Sequence, residues 1–129
     1  MFRFLEKNKN IKVLILYHCQ NIEDFTSISK LERLEILNIR YTNISDISFL
    51  ENNKNIKKLD LRYCKNIKDF IPISKLERLE ILDINSTNFS DISFLENNKN
   101  IKKLYLSDCS KLIKKGNIFK GKDIQIDLS

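Results

Sequence analysis

The 45-residue segment beginning at Phe4 recurs from Phe49 with 32 identical positions, and a third copy begins at Phe94. A chain that restates itself at a fixed interval reuses one structural unit, and that unit must bury its apolar side against its own copies. Inside each copy the apolar skeleton returns at half the interval. It reads Ile11-x-x-Leu14-x-Leu16-x-x-Cys19, then Leu34-x-x-Leu37-x-Ile39-x-x-Thr42. It continues as Ile56-x-x-Leu59-x-Leu61-x-x-Cys64, Leu79-x-x-Leu82-x-Ile84-x-x-Thr87 and Ile101-x-x-Leu104-x-Leu106-x-x-Cys109. The five units follow one another at alternating spacings of 23 and 22 residues. The short alternation in each, such as Leu14-x-Leu16, predicts a strand with one face turned inward. A unit this short cannot cover that face alone, so equivalent strands must stack side by side.

This spacing resembles the leucine-rich repeat superfamily from about Phe4 to Cys109. The resemblance implies an α/β solenoid with a parallel concave β-sheet of about six strands. Short helical or 3-10 turns would lie on its convex side. The whole of 1–129 is expected to form a single domain, with repeats over about 4–109 and a C-terminal cap over about 110–129. In that cap the alternation from Ile124 to Leu128 predicts a sixth strand closing the sheet, while Phe2 and Phe4 are expected to cover the first unit. Each return segment carries Ile-Ser-x-Leu-Glu, and Ser followed three residues later by Glu is a capping-box pattern. Ser29, Ser48, Ser74 and Ser93 are therefore expected to open the outer turns. Asp24, Asp46, Asp69 and Asp91, slightly earlier, are placed to bond loop amides. The composition, rich in Ile, Asn and Lys, further resembles the leucine-rich repeat families of insect poxviruses and other large DNA viruses of AT-rich genomes.

Several function classes drop out. No apolar leader follows Met1, and no run approaches the roughly 18 apolar residues of a membrane span. A cytoplasmic location without membrane contact is expected. Cys19, Cys64 and Cys109 occupy one repeat position 45 residues apart. Two strands of separation, roughly 9–10 Å, is too far for a disulfide, so they are expected to be reduced and buried. No metal or cofactor is expected: there is no C-x-x-C pair, and His18 is the one histidine. With two glycines there is no phosphate loop. Cys19 and His18 are adjacent, so they should point to opposite faces of the chain and fail as a nucleophile–base pair. Asp60 and Asp83 are expected to be neighbours on the sheet, but a shallow face offers little burial to tune a carboxylate. No enzyme activity and no small-molecule substrate are expected.

Binding is the remaining class. Four variable positions flank the inward leucines of each unit and should project from the concave face. Among them Tyr17, His18, Asn38, Arg40, Tyr41, Asp60, Arg62, Tyr63, Asp83 and Tyr105 are the candidate partner-binding residues. His18, Tyr41 and Tyr63 should form one column, and Tyr17, Arg40 and Arg62 the next. Between the two full copies, seven of the eight concave positions differ, against six of the other 37. Drift at exposed sites does not account for this, because the Glu-Asn-Asn-Lys-Asn loop should be exposed too and is kept. Tyr and Arg are typical of binding hot spots, so a protein partner on the concave face is expected, in a viral setting a host factor. Val13, Ile15 and Ile36 add an apolar patch. The net charge of +6 allows an alternative: a polyanion, such as a heparin-like glycosaminoglycan or nucleic acid, on the rim lysines and the 111–122 lysine cluster. Self-association is a third reading, with the chain a monomer or weak dimer.

Overall fold

A computed structural model describes residues 5, 7–22, 24–107 and 123–127. Six three-residue strands, β1 (Val13–Ile15), β2 (Ile36–Asn38), β3 (Lys58–Asp60), β4 (Ile81–Asp83), β5 (Lys103–Tyr105) and β6 (Gln125–Asp127), form one sheet in chain order. Every pairing is parallel, and the central residues Leu14, Leu37, Leu59, Leu82, Leu104 and Ile126 stand in register. This is the expected solenoid, including the sixth strand. Successive strands run parallel because each return segment carries the chain back to the same side before the next begins.

The leucine positions fill one continuous core. Leu37, Leu59, Leu82 and Leu104 are fully buried, as are Ile39, Leu61 and Ile84 two residues further along three of the strands. The centre of β6, Ile126, is exposed. Phe70 packs edge-on against Phe89 and stacks on Phe94, tying neighbouring return segments together. Cys64 is buried and Cys19 is partly exposed, and both are free thiols. Cys19 thus departs from the expected burial. Cys109, Phe2, Phe4 and the 111–122 lysines lie outside the described residues.

The return segments form 3-10 turns at Thr26–Lys30, Ser48–Asn52, Ile71–Lys75 and Ser93–Leu95. The capping-box expectation is corrected here: no side chain caps any of the four at its N-cap residue. The aspartates do the work instead. Asp24, Asp46, Asp69 and Asp91 accept the backbone N–H two residues on, from Thr26, Ser48, Ile71 and Ser93, at 2.8–2.9 Å. Ser48 and Ser93 do begin their turns, but Ser29 and Ser74 lie inside theirs and donate back to the carbonyls of Thr26 and Ile71. Hydrogen bonds from the hydroxyl and N–H of Thr26 hold the Asp24 carboxyl below its usual range.

Asparagines bind the units to one another. Asn53 is fully buried and donates through Nδ2 to the carbonyls of Ile28 and Leu31 in the preceding unit, at 2.9 and 3.2 Å. Asn98 repeats this to Ile73 and Leu76. Asn55 and Asn100 reach back to the carbonyls of Glu32 and Glu77, both at 2.7 Å. The carbonyls of Ile28, Leu31, Ile73 and Leu76 each already accept a backbone N–H, from Leu31, Leu34, Leu76 and Leu79. The buried asparagines therefore fill the second acceptor site of each of these carbonyls and tie one unit to the next. The Glu-Asn-Asn-Lys-Asn loop is kept between copies for this structural reason, which removes it as evidence about the opposite face.

Candidate functional site

The open face of the sheet, expected to be concave, is built from the first and third residues of each strand and the two that follow after one inward position. As each strand ends, its backbone enters the left-handed region at an equivalent place: His18, Tyr41, Tyr63 and Ser86 have φ of 61°, 58°, 60° and 56°. None is glycine, and such a conformation costs an ordinary residue about 1–2 kcal/mol. Cross-unit hydrogen bonds hold it. The N–H groups of His18, Tyr41, Tyr63 and Ser86 donate to the carbonyls of Arg40, Arg62, Asn85 and Ser107 at 2.9–3.0 Å.

The consequence is an aromatic column. His18 stacks on Tyr41 with centroids 4.4 Å apart and planes 10° from parallel; Tyr41 stacks on Tyr63 at 4.3 Å and 12°. The repeat distance of a β-sheet, about 4.8 Å, is close to the stacking distance of flat rings, so equivalent aromatics on adjacent units meet face to face. In the adjoining column the Arg40 guanidinium lies over the Tyr17 ring at 4.9 Å. Tyr17 also meets His18 edge-on at 5.6 Å. The expected juxtapositions of His18, Tyr41 and Tyr63, and of Tyr17 and Arg40, are all present. Burial comes first among the causes that raise the Tyr41 phenol, followed by its hydrogen bond to Tyr63.

The third column is mostly carboxylate and amide. Asn38, Asp60 and Asp83 each accept the N–H two residues later, from Arg40, Arg62 and Asn85, at 3.1–3.2 Å. These side chains thus turn the chain out of the strand, a structural role that the sequence pattern did not reveal. Asp60 is also buried rather than projecting, which corrects its expected placement. The physical reason is Arg62, whose Nη2 lies 2.7 Å from Asp60 Oδ2 and whose Nε lies 3.0 Å from Asp60 Oδ1. The same Nε lies 3.1 Å from Asp83 Oδ2 on the next strand. One Nε–H cannot serve three oxygens well, so Asp83 is the weakly satisfied member. Burial, then the nearby Asp60 charge, raise its carboxyl from 3.8 to about 6, against the lowering effects of the Asn85 N–H and of Arg62. That corrects the expectation that the face tunes no carboxylate. Tyr105 follows on β5 in register with Asp83, and the Lys103 ammonium lies 4.8 Å above its ring.

The corner nearest β1 is apolar. Val13, Ile15 and Tyr17 are 52%, 53% and 49% exposed, and Ile36 beside them is partly buried. Elsewhere two of the rim lysines are matched: Lys57 pairs with Glu35 at 3.3 Å and Lys102 with Glu80 at 2.9 Å. The His18 ring stacks on Tyr41 while the Cys19 thiol turns to the Tyr17 carbonyl, so the two do not form a nucleophile–base pair. Among the described residues no cluster of three or more His, Cys, Asp or Glu is arranged to hold a metal, and no helix is long and apolar enough to cross a membrane.

Comparison with known proteins supports the repeat reading. Residues 32–76 match the family model described as leucine-rich repeats in two copies. No curated protein sequence matches the chain. Among solved structures, internalin C2 of Listeria monocytogenes superposes with a TM-score of 0.87 at 24% identity, over 97% of this chain and 54% of the internalin. A leucine-rich repeat protein of Leptospira interrogans superposes with a TM-score of 0.82 at 24% identity, over 95% of this chain and 32% of its own. The plant peptide hormone receptor RGFR1, solved in complex with RGF2, gives 0.61 at 21% identity, over 80% of this chain and 18% of the receptor. The chain thus spans about half of the first of these proteins and a third of the second. At such identities the likeness is one of fold.

Proposed function

We propose, on the premise of a leucine-rich repeat fold, that this chain is a non-enzymatic interaction module that holds a protein partner on its concave face. The observation that carries the reading is the aromatic column of His18, Tyr41 and Tyr63, exposed at His18 and Tyr63 and half-buried at Tyr41, beside the Arg40–Tyr17 pair. Preorganised rings lose little conformational freedom on binding, and Tyr and Arg dominate the energetics of many interfaces. Tyr17, His18, Arg40, Tyr41 and Tyr63 are the residues assigned to direct contact, with Asn38 and Tyr105 flanking them. Asp60, Asp83 and Arg62 are assigned to holding the surface in shape. The narrower form of the proposal is a viral protein acting on a host factor, in the cytoplasm. Its support is the composition, together with the unpaired thiols of Cys19 and Cys64.

The test is affinity capture on the immobilised full chain from a cell extract, followed by binding measurements on the captured protein. Tyr17→Ala combined with Tyr41→Ala should weaken binding by at least about 100-fold, as expected of hot-spot residues, with an unchanged melting temperature. Arg62→Ala is unsuitable, because it would leave Asp60 buried and unpaired. The polyanion reading has less support, since Lys57 and Lys102 are already paired with glutamates. It predicts instead that binding collapses between about 50 and 300 mM salt and ignores the tyrosine changes.

A further inference from the structure

The two concave arginines differ in a way that identifies the chemistry of the partner. Arg62 is neutralised twice, by Asp60 of its own unit and Asp83 of the next. Arg40 stands at the equivalent place one unit earlier, and its own unit offers Asn38 where Arg62 has Asp60. Asn38 carries no charge: its Oδ1 accepts the Arg40 backbone N–H, and its amide nitrogen is a donor that cannot receive a guanidinium hydrogen. The next carboxylate along the sheet, Asp60, is occupied by Arg62. Among the described residues Arg40 makes no ion pair, and its Nε is shielded from solvent without a hydrogen-bond acceptor. Shielded in this way, Nε stays out of a partner's reach, which leaves the Nη end of the guanidinium as the part open to an acceptor. The tyrosine face beneath the guanidinium offsets only part of the cost of that shielding.

Beside this unmatched cation lies the apolar corner of Val13, Ile15 and Tyr17, about half exposed. Ile15 is in register with Asn38, so the corner and Arg40 lie on adjacent strands. We propose that this end of the concave face recognises an extended protein segment carrying an Asp or Glu side chain next to an apolar one. The carboxylate would sit on the Arg40 guanidinium and the apolar side chain on Val13 and Ile15. A planar guanidinium binds a carboxylate through two parallel N–H donors, which fixes direction as well as charge. The inference rests on the concave-face proposal and names the class of partner for it.

The experiment is selection of binders from a random nine-residue peptide library displayed on phage, using the immobilised full chain. Recovered peptides should be enriched in Asp or Glu adjacent to Leu, Ile, Val or Phe. A synthetic copy of one should lose about tenfold or more in affinity when its acid is changed to Asn or Gln, and a similar amount with Arg40→Gln. Its affinity should be unchanged with Arg33→Gln, an exposed arginine outside the concave positions. Amidation of the peptide C-terminus should have little effect, and a large loss on amidation would overturn the side-chain assignment in favour of a terminal carboxylate. Lysine-rich or acid-free winners, or binders that weaken with Tyr41→Ala but not with Arg40→Gln, overturn the inference while leaving the concave-face proposal standing. No binders, or binders indifferent to Tyr41→Ala, sink both. Heparin competing at low salt with Arg40 dispensable would favour a polyanion instead.

Discussion

At the scale of single residues, the open face divides into side chains that hold the chain and side chains left to meet something else. Asp83 belongs to the first group and carries a pH signature. Its carboxyl is raised to about 6, chiefly by burial, so the folded chain holds this proton more tightly than the unfolded one. The resulting stability is fully present below the ordinary value of 3.8 and is lost as pH rises through about 6. Wild type should therefore gain stability relative to Asp83→Asn as pH falls from 7.5 to 4.5. After solvent screening the gain should be on the order of 1 kcal/mol, read from urea melts at both pH values. Parallel behaviour of the two proteins would show that Asp83 titrates normally. Residues of this kind were hard to read in the sequence. The columns of Tyr17 with Arg40, and of His18 with Tyr41 and Tyr63, followed from spacing alone, because a strand fixes which side chains are neighbours. The burial of Asp60 did not, since it depends on the rotamer that Arg62 adopts across two strands. Nor did the left-handed backbone at His18, Tyr41, Tyr63 and Ser86, because none of the four is the glycine that usually marks it.

At the scale of elements, strands and return turns contribute differently. The strands are three residues long, too short to stand without neighbours, and the turns are 3-10 segments with few internal hydrogen bonds. Their cohesion comes from side chains that reach across units. Asn53→Ala removes a buried donor from the carbonyls of Ile28 and Leu31 together. It should destabilise the chain by about 1–3 kcal/mol, for two hydrogen bonds lost from carbonyls that keep their own backbone N–H partners. Asn55→Ala, at a more exposed site with one such bond, should cost under about 1 kcal/mol. Equal effects in equilibrium denaturation would contradict this division. The signal for it was present in the sequence as an asparagine repeated every 45 residues. That signal reads as an exposed loop, because a polar residue in a polar run gives no sign of being buried. The aspartate caps were legible, since Asp ahead of a turn has a standard local use. The capping-box serines mislead because that pattern belongs to α-helices, and these turns are tighter.

At the scale of the whole molecule, the chain behaves as a row of units in which each touches its neighbours. The core is continuous from Leu5 to Leu106, yet every strand pairing joins consecutive units. Deleting residues 49–93 joins Ser48 to Phe94, a junction of the same residue types as Ser48–Phe49. The shortened chain should fold cooperatively, with a lower melting temperature and a smaller denaturant dependence, because less surface is buried. Loss of folding would mean that the units are not interchangeable. The sheet has one face on this core and one left open, and the open face gathers the rings, the unmatched Arg40 and the apolar corner. Hydroxyl-radical footprinting of the full chain with and without its captured protein partner tests whether that face is the binding surface. Tyr17, His18 and Tyr63 should become protected while Ile71, exposed on a return turn, reacts as before. Protection of Ile71 with undiminished labelling of the three ring residues would contradict the account.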